Sequence, residues 1–514
     1  MPVSNLFTRR RRAAVATAAM SALAVTGLVH EPAAVAAAPT RTPALERPVK
    51  KPNLLLVTVD DLSYLDMDHL PQVRKLVERT GVSFSEGIAP TPICVPARAS
   101  LLTGQYAHNH GARTIEGPYG GYRAFDDSST VATSLQDAGY STILAGKYLN
   151  GYGEGATRGD VPPGWDQWRA TVDPSTYNFR SPKFNVNGET IKSKGYSSTV
   201  ITEHAKAGIA AERRSGRPWF TWVNYVAPHH GGPSGPDDPK KIYPGTDAAL
   251  SVTVPDRQDR GFYDNVPIPA RPNLFPEDTS GYAKGSPGRG KFNPRKKDAL
   301  RIAYQRRLEA IRSLDRNIAS LLVGLRKSGE LKRTLVVFTS DNGFSNGYHN
   351  LNGKLWHYDE SLRIPVLMSG PGVPRGRTVR TPVTNPDLAA TLLAAAGARP
   401  PRALDGIDIM PWLRAPEQVR AIPIAGWRVA DGSRQLWSGV RVGSWTYARL
   451  HTGQVEVYDR SSDPYEQHNL AADPASAEAV KTLSRLASRY QDCAASTCPK
   501  DLYAAGRALD LEGL

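Results

Sequence analysis

Residues 53–61 read "NLLLVTVDD", a continuous apolar run that ends abruptly in Asp60 and Asp61. An apolar run with no polar alternation can form a strand only if both of its faces are buried, as happens in a parallel sheet covered by helices. The design recurs in "TLVVFTSDNG" at 334–343, which ends in Asp341 and Asn342, in "WFTWVNYVAPHH" at 219–230, and in "RIPVLMSGPG" at 363–372. Between these runs lie helical patterns closed by glycine, such as "LPQVRKLVERTG" and the long "ALRIAYQRRLEAIRSLDRNIASLLVGLRKSG". Alternating strands and helices predict an α/β fold with a mostly parallel central sheet flanked by helices, over 51–420. From about Ala421 the pattern changes to short β runs, "LWSGVRVGSWTYARL" and "QVEVYDR", followed by a helix. Residues 421–514 therefore read as a smaller C-terminal α+β subdomain.

The N-terminus has another purpose. Arg9 to Arg12 precede the apolar run "AAVATAAMSALAVTGLV" and then "PAAVAAAPT". This is a signal peptide over 1–36 with a Pro-rich linker over 37–50, and it predicts a secreted or extracytoplasmic protein. The arginine cluster suggests the twin-arginine route. The run is Ala-rich and short for a membrane span, and no later segment is apolar enough to span, so no membrane is expected. Lys and Arg number 64 against 49 Asp and Glu, a net +15; without residues 1–36 the balance is 60 against 48, or +12. That charge permits an anionic polymer as partner, but no basic run with interleaved aromatics points to nucleic acid.

Chemistry concentrates at the strand ends, where open α/β sheets carry function. Asp60, Asp61, Asp341 and Asn342 are hard oxygen donors suited to Ca²⁺ or Mg²⁺, not to a soft metal. Cys493 and Cys498 enclose "AAST", a short loop that an oxidising compartment closes as a disulfide. Cys94 is the odd cysteine out. The segment 231–298 is Pro-, Gly- and Lys-rich with little periodicity, so it reads as a functional loop or a disordered insertion.

Cys94 lies in "CVPARASLLTG", which matches C-x-P-x-R followed by L-T-G and resembles the signature of the sulfatase family. "TVDD", "AGKYLNGYG", "APHH", "SDNG", "GKLWHYDESLRIPVLMSGPG" and "VYDRSSDPYEQHNLA" extend the resemblance across the chain. Within the family, "GQYAHNHG", "GKYLNGYG" and the late cysteine pair are most similar to the N-acetylglucosamine-6-sulfatase branch. The resemblance implies that 51–420 is a sulfatase catalytic domain and that a formylglycine-generating enzyme oxidises Cys94 to an aldehyde. It also implies a divalent cation held by Asp60, Asp61, Cys94, Asp341 and Asn342.

A hydrated aldehyde at position 94 has two hydroxyls. One attacks sulfur as the alcohol leaves; the other then expels sulfate and restores the aldehyde. A serine could perform only the first half. Lys147, His229 and Lys354 are expected to bind sulfate oxygens or protonate the leaving alcohol, Arg98 to hold the diol oxygen, and Asp341 to take its proton. His349, in "GYHNLNGK", is expected to line the substrate site, and His108 and His110 to be structural or rim residues. Many sulfatases have a histidine two residues after the first lysine; here Leu149 stands there, which leaves the proton donor open. The substrate expected is a sulfated small molecule or glycan such as glucosamine 6-sulfate. The rivals are an arylsulfatase, a phosphate or phosphonate monoester hydrolase, and a non-catalytic glycan-binding protein.

Overall fold

The computed structural model describes residues 51–239, 252–415 and 417–504. The expected signal peptide and linker, and the start of the basic segment at Lys240, lie outside the described residues.

The large sheet has ten strands: β1 (Asn53–Asp60), β2 (Val82–Phe84), β3 (Ser141–Gly146), β4 (Gln167–Thr171), β5 (Lys183–Val186), β6 (Glu189–Lys192), β7 (Trp219–Pro228), β8 (Thr334–Ser340), β9 (Val366–Ser369) and β10 (Arg377–Val379). Their order is β10-β2-β9-β8-β1-β7-β3-β4-β5-β6. The five central strands, β8-β1-β7-β3-β4, are mutually parallel, and β9 and the β5–β6 hairpin run antiparallel at either side. Strand β1 sits at the centre, with Val57 opposite both Val223 and Phe338.

The apolar runs are continuous because both faces of the sheet are covered. Leu54 and Leu56 pack on one side with Val95, Ala99 and Leu102 of α1 (Cys94–Thr103). Leu55, Val57 and Val59 pack on the other with Ile201 and Ala205 of α2 (Ser197–Glu212) and Leu308 and Ile311 of α3 (Pro294–Lys327). On the first side, α4 (Asn385–Ala396) adds Leu388 and Leu392, and its start is fixed by a capping box between Thr384 and Asp387. Each such side chain contributes about 1.5–3 kcal/mol through burial.

The C-terminal part is a four-stranded antiparallel sheet, β11 (Ala421–Trp427) to β14 (Val455–Asp459), with β12 at Gln435–Val442 and β13 at Trp445–Leu450. Leu483, Leu486 and Tyr490 of α5 (Ala477–Tyr490) close its apolar face over Val440, Val442 and Tyr447. The Cys493–Cys498 disulfide is formed. It lies against the segment that follows α1, since His108 Nε2 and Asn109 Nδ2 both reach the Cys493 carbonyl, at 2.7 and 2.8 Å.

The described part of the 231–298 segment is packed. Val254 and Ile268 are buried beside α3, and Asp259 is held by Arg312 and Arg316 of that helix. Among the described residues, no helix is long and apolar enough to cross a membrane.

Candidate active site

The site forms where β1 and β8 end and α1 begins. At the end of β1 the register with β7 shifts between Val59 and Asp60, and Asp61 takes a left-handed φ of 66°. A non-glycine residue in that region costs about 1–3 kcal/mol and persists only where its surroundings hold it. Here the Asp61 N–H donates to Asp341 Oδ1 at 3.2 Å, its carbonyl accepts from Arg307, and the Leu62 N–H donates to Ser340 Oγ at 2.9 Å. The two strand ends are therefore tied by their own functional side chains.

Cys94 is the first residue of α1. Its predecessor Ile93 offers no capping oxygen, so the partial positive charge of the helix N-terminus lies beside position 94. Pro96 falls in the first turn, where a missing N–H costs nothing, and Gly104, at φ 70°, ends the helix. The Cys94 Sγ stands 3.4 Å from Asp60 Oδ1 and 2.8 Å from Lys354 Nζ. Burial, reinforced by Asp60, pushes the Cys94 thiol up to about 12.

Buried cations and carboxylates surround it. Lys147 Nζ donates to Asp60 Oδ2 at 2.5 Å, and Lys354 donates to Asp61 Oδ1. Neither lysine is a solvated surface residue: Lys147 is 2% exposed and Lys354 14%. Arg98, fully buried, donates through Nε to Asp341 Oδ2 at 2.9 Å and through Nη1 to the Lys147 carbonyl and Asn224 Oδ1. Burial drives the Asp60 carboxyl upward, but the charges of Lys147, Arg98 and Lys354 outweigh it and hold the group well below the usual carboxylate range. Asp341 ends on the other side: burial and the charge of Asp60 push it up to about 7 against the pull of Arg98. Burial, then His230, lowers His229 to about 3, so its ring is neutral. Its Nδ1–H donates to the His230 carbonyl at 2.8 Å, which leaves Nε2 unprotonated, 3.8 Å from Asp61 Oδ2.

Asp60, Asp61, Cys94 and His229 present ligand atoms within 4.8 Å of one another. Asp61 Oδ2 and Asn342 Oδ1 are buried with no hydrogen-bond partner, while Asn342 Nδ2 donates to Asp61 Oδ1 at 2.7 Å. Two oxygen acceptors left bare in a buried site fit a hard divalent cation.

The structure thus brings together Asp60, Asp61, Cys94, Arg98, Lys147, His229, Asp341, Asn342 and Lys354. It does not bring His349 to them. That ring is fully buried, stacked 4.0 Å from Tyr358, with Nε2 3.0 Å from Glu360 and Nδ1 3.1 Å from the Tyr282 hydroxyl. Burial opposes protonation of His349, but Glu360 outweighs it and raises the pKa. In this arrangement it is a structural residue, because both nitrogens are engaged away from the cluster. His110, bonded to Ser100 and the Ala112 N–H, is structural too. Sequence reasoning missed Asn224, Tyr177 and Arg307. Asn224 carried a signal, as a polar residue inside an apolar strand run. Tyr177 carried none; it lies 5.2 Å from Lys147 Nζ and 4.8 Å from the His229 ring.

Solved structures share this fold across most of the chain. One, described in complex with its substrate D-glucosamine-2-N,6-O-disulfate, superposes with a TM-score of 0.71 at 21% identity, covering 85% of this chain and 97% of the other. The phosphonate monoester hydrolase of Agrobacterium radiobacter superposes at 0.63 with 21% identity, covering 86% and 96%. Fold and strand-end site together define the alkaline-phosphatase-like class of α/β proteins. Within that class the Sulfatase family profile matches residues 52–398, and the chain belongs to the sulfatase family. A second profile, N-sulphoglucosamine sulphohydrolase, C-terminal, matches 347–492. Among curated relatives, a putative extracellular sulfatase Sulf-1 homolog of Caenorhabditis elegans is 32% identical over 70% of this chain, a match that spans 48% of that protein's length. The N-acetylglucosamine-6-sulfatase of Capra hircus is 27% identical over 87% of this chain and 85% of its own.

Proposed function

We propose that this chain is an exported sulfuric ester hydrolase acting on sulfated sugars, glucosamine 6-sulfate foremost. In this reading residue 94 works as formylglycine, made by a formylglycine-generating enzyme, beside one Ca²⁺. The observation that carries the reading is the position of Cys94 Sγ, 3.4 Å from Asp60 Oδ1 and 2.8 Å from Lys354 Nζ at a helix N-terminus. As a thiol, the residue is a poor nucleophile there, since a group pushed up to about 12 stays protonated at neutral pH. Conversion to an aldehyde removes that obstacle, because a gem-diol needs only a neighbouring proton acceptor.

Asp60, Asp61, Asp341 and Asn342, with position 94, would hold the cation, and the bare oxygens of Asp61 and Asn342 support that set. Bound there, the cation supplies Lewis-acid polarisation of a sulfate oxygen. The remaining chemistry belongs to the chain's own groups. Lys147 and Lys354 bring positive charge to the oxygens on which charge develops. Arg98 fixes the Asp341 carboxylate so that it can accept the proton leaving position 94. His229 Nε2 faces the same space as the unprotonated nitrogen of a neutral ring, so with Leu149 in place of a second histidine the donor to the leaving alcohol falls to Lys147 or Lys354. Support for a sugar sulfate comes from the goat N-acetylglucosamine-6-sulfatase and the glucosamine disulfate complex, and support for export from the extracellular nematode relative.

Two measurements test the proposal. Mass spectrometry of the peptide containing residue 94 should show the aldehyde; an intact thiol in fully active enzyme sinks the mechanism. Matched sulfate, phosphate and phosphonate esters should show preference for sulfate. A preference for phosphonate would instead assign the chain the activity named for the phosphonate hydrolase structure.

A further inference from the structure

Next to the catalytic cluster lies a cavity of about 600 Å³, within the range of small-molecule sites. Its lining includes Tyr177, Asn178, Arg180, Ser181, His230 and Ser234, with no aspartate or glutamate. Tyr177 and His230 join it to the reacting groups: the His230 ring stacks 4.1 Å from that of His229, and Tyr177 covers both His229 and Lys147. The Tyr177 hydroxyl is fixed by Asn150 Nδ2 at 2.9 Å.

Arg180 is the cavity's one formal charge, and among the described residues it makes no ion pair. Nη2 donates to the Pro255 carbonyl at 2.8 Å, and the guanidinium lies 5.8 Å over the Tyr196 ring. The backbone presenting it is locked, since Asn178 Oδ1 accepts the N–H groups of both Arg180 and Ser181 at 3.0 Å. Of the neighbouring acids, Asp237 and Asp238 are taken up by Arg260 and Arg306, and Asp173 accepts the Gly151 N–H. Asp256 lies within electrostatic reach, where Arg257 balances it, while Arg260 is already paired with Asp237 and Asp238. A half-buried cation without a carboxylate has paid part of its desolvation cost, and a bound anion would recover it.

We infer that this cavity receives the sugar of the leaving group and that Arg180 pairs with a second anionic group on it. The substrate class is then a sugar sulfate ester carrying a further anion, on the same ring or on its neighbour. This rests on the reading of the adjoining site as a sulfate ester hydrolase. Arg180 acts on selectivity and not on the bond that breaks.

The test separates the two ideas by measuring binding as well as turnover. Calorimetry with the desulfated products glucosamine and glucosamine 2-N-sulfate should show the second binding about tenfold more tightly, equivalent to about 1.4 kcal/mol. A parallel arm with a uronate-linked glucosamine disaccharide distinguishes a ring sulfate from a neighbouring carboxylate as the anion. In Arg180→Met the preference should collapse to near one, and Arg180→Lys should restore much of it. The ratio of kcat/KM for glucosamine 2-N,6-O-disulfate over glucosamine 6-sulfate should fall in step. Wild-type protein with no preference for either anionic sugar, or an Arg180→Met variant that keeps it, overturns the assignment of Arg180. Failure to hydrolyse any sulfate ester overturns the hydrolase reading instead, and the binding ratios still report on Arg180.

Discussion

Lys354 Nζ lies 2.8 Å from Cys94 Sγ while also donating to Asp61, so one ammonium bridges the first residue of α1 and the end of β1. Burial opposes the charge of a lysine so placed, but Asp61, helped by Asp60, outweighs it and keeps Lys354 charged. Lys354→Met should therefore remove a preorganised charge, and kcat should fall about a hundredfold or more. Cys94→Ser should give a different failure. A single hydroxyl can accept the sulfuryl group but cannot expel it, so a stable adduct one SO₃ unit heavier should accumulate on that peptide. Continued multiple turnover by the serine variant would refute the need for a second hydroxyl.

The bare oxygens of Asp61 and Asn342 predict a measurable affinity for Ca²⁺ in the absence of any substrate. Binding to the folded state alone should stabilise the protein by about 2.7 kcal/mol at a concentration one hundred times Kd, seen as a rise in Tm. Asn342→Leu should abolish that rise by removing one of the two acceptors. Equal stabilisation of wild type and variant would place the cation elsewhere.

These strand ends were legible in the sequence because burial on both faces leaves an unbroken apolar run, and the first charge after it marks the edge of the core. Asp60, Asp61, Asp341 and Asn342 could be read that way, and the Cys94 segment by its resemblance. His349 misled for the opposite reason. A histidine in the Gly- and Asn-rich loop before Lys354 invites placement at the substrate site, yet it is buried by Tyr282, Glu360 and Tyr358, the first of them far away in the chain. Tyr177 was hidden likewise, since nothing local to "STYN" tells that it will meet Lys147. Strands β5 and β6 are of mixed polarity, and β6 is exposed along most of its length, so no run announced them.

The C-terminal sheet is tied to the segment after Lys354 by a buried carboxylate. Asp359 pairs with Arg441 of β12, Arg460 just beyond β14, and Arg363. Burial raises its pKa, but these arginines prevail and depress it far below the ordinary value. A group depressed in the folded state contributes stability above its unfolded pKa and loses it as pH falls toward the folded one. Asp359→Asn should then cost about 3 kcal/mol at neutral pH, as for a broken buried pair. The deficit should stay constant down to about pH 5 and shrink below about pH 4. Urea unfolding of both proteins across that range measures it, and a deficit that grew on acidification would contradict the assignment.

Arg98 is the last member of the site to carry a prediction, because its fork joins three elements. From α1 it reaches Asp341 at the end of β8, the Lys147 carbonyl after β3, and Asn224 within β7. A lysine at that position keeps the charge but has no planar fork, so it cannot satisfy the three acceptors together. Arg98→Lys should lower unfolding stability by about 1–3 kcal/mol, the range for buried acceptors left without donors. It should also release Asp341 from its fixed orientation, lowering kcat more than it raises KM. Arg98→Met goes further, since the Asp341 carboxyl, already pushed up to about 7 by burial and Asp60, loses the partner that restrains it. That variant should be the less stable of the two. If both folded as well as wild type and kept its kcat, the guanidinium would not be what holds the strand ends in register with the helix that carries residue 94.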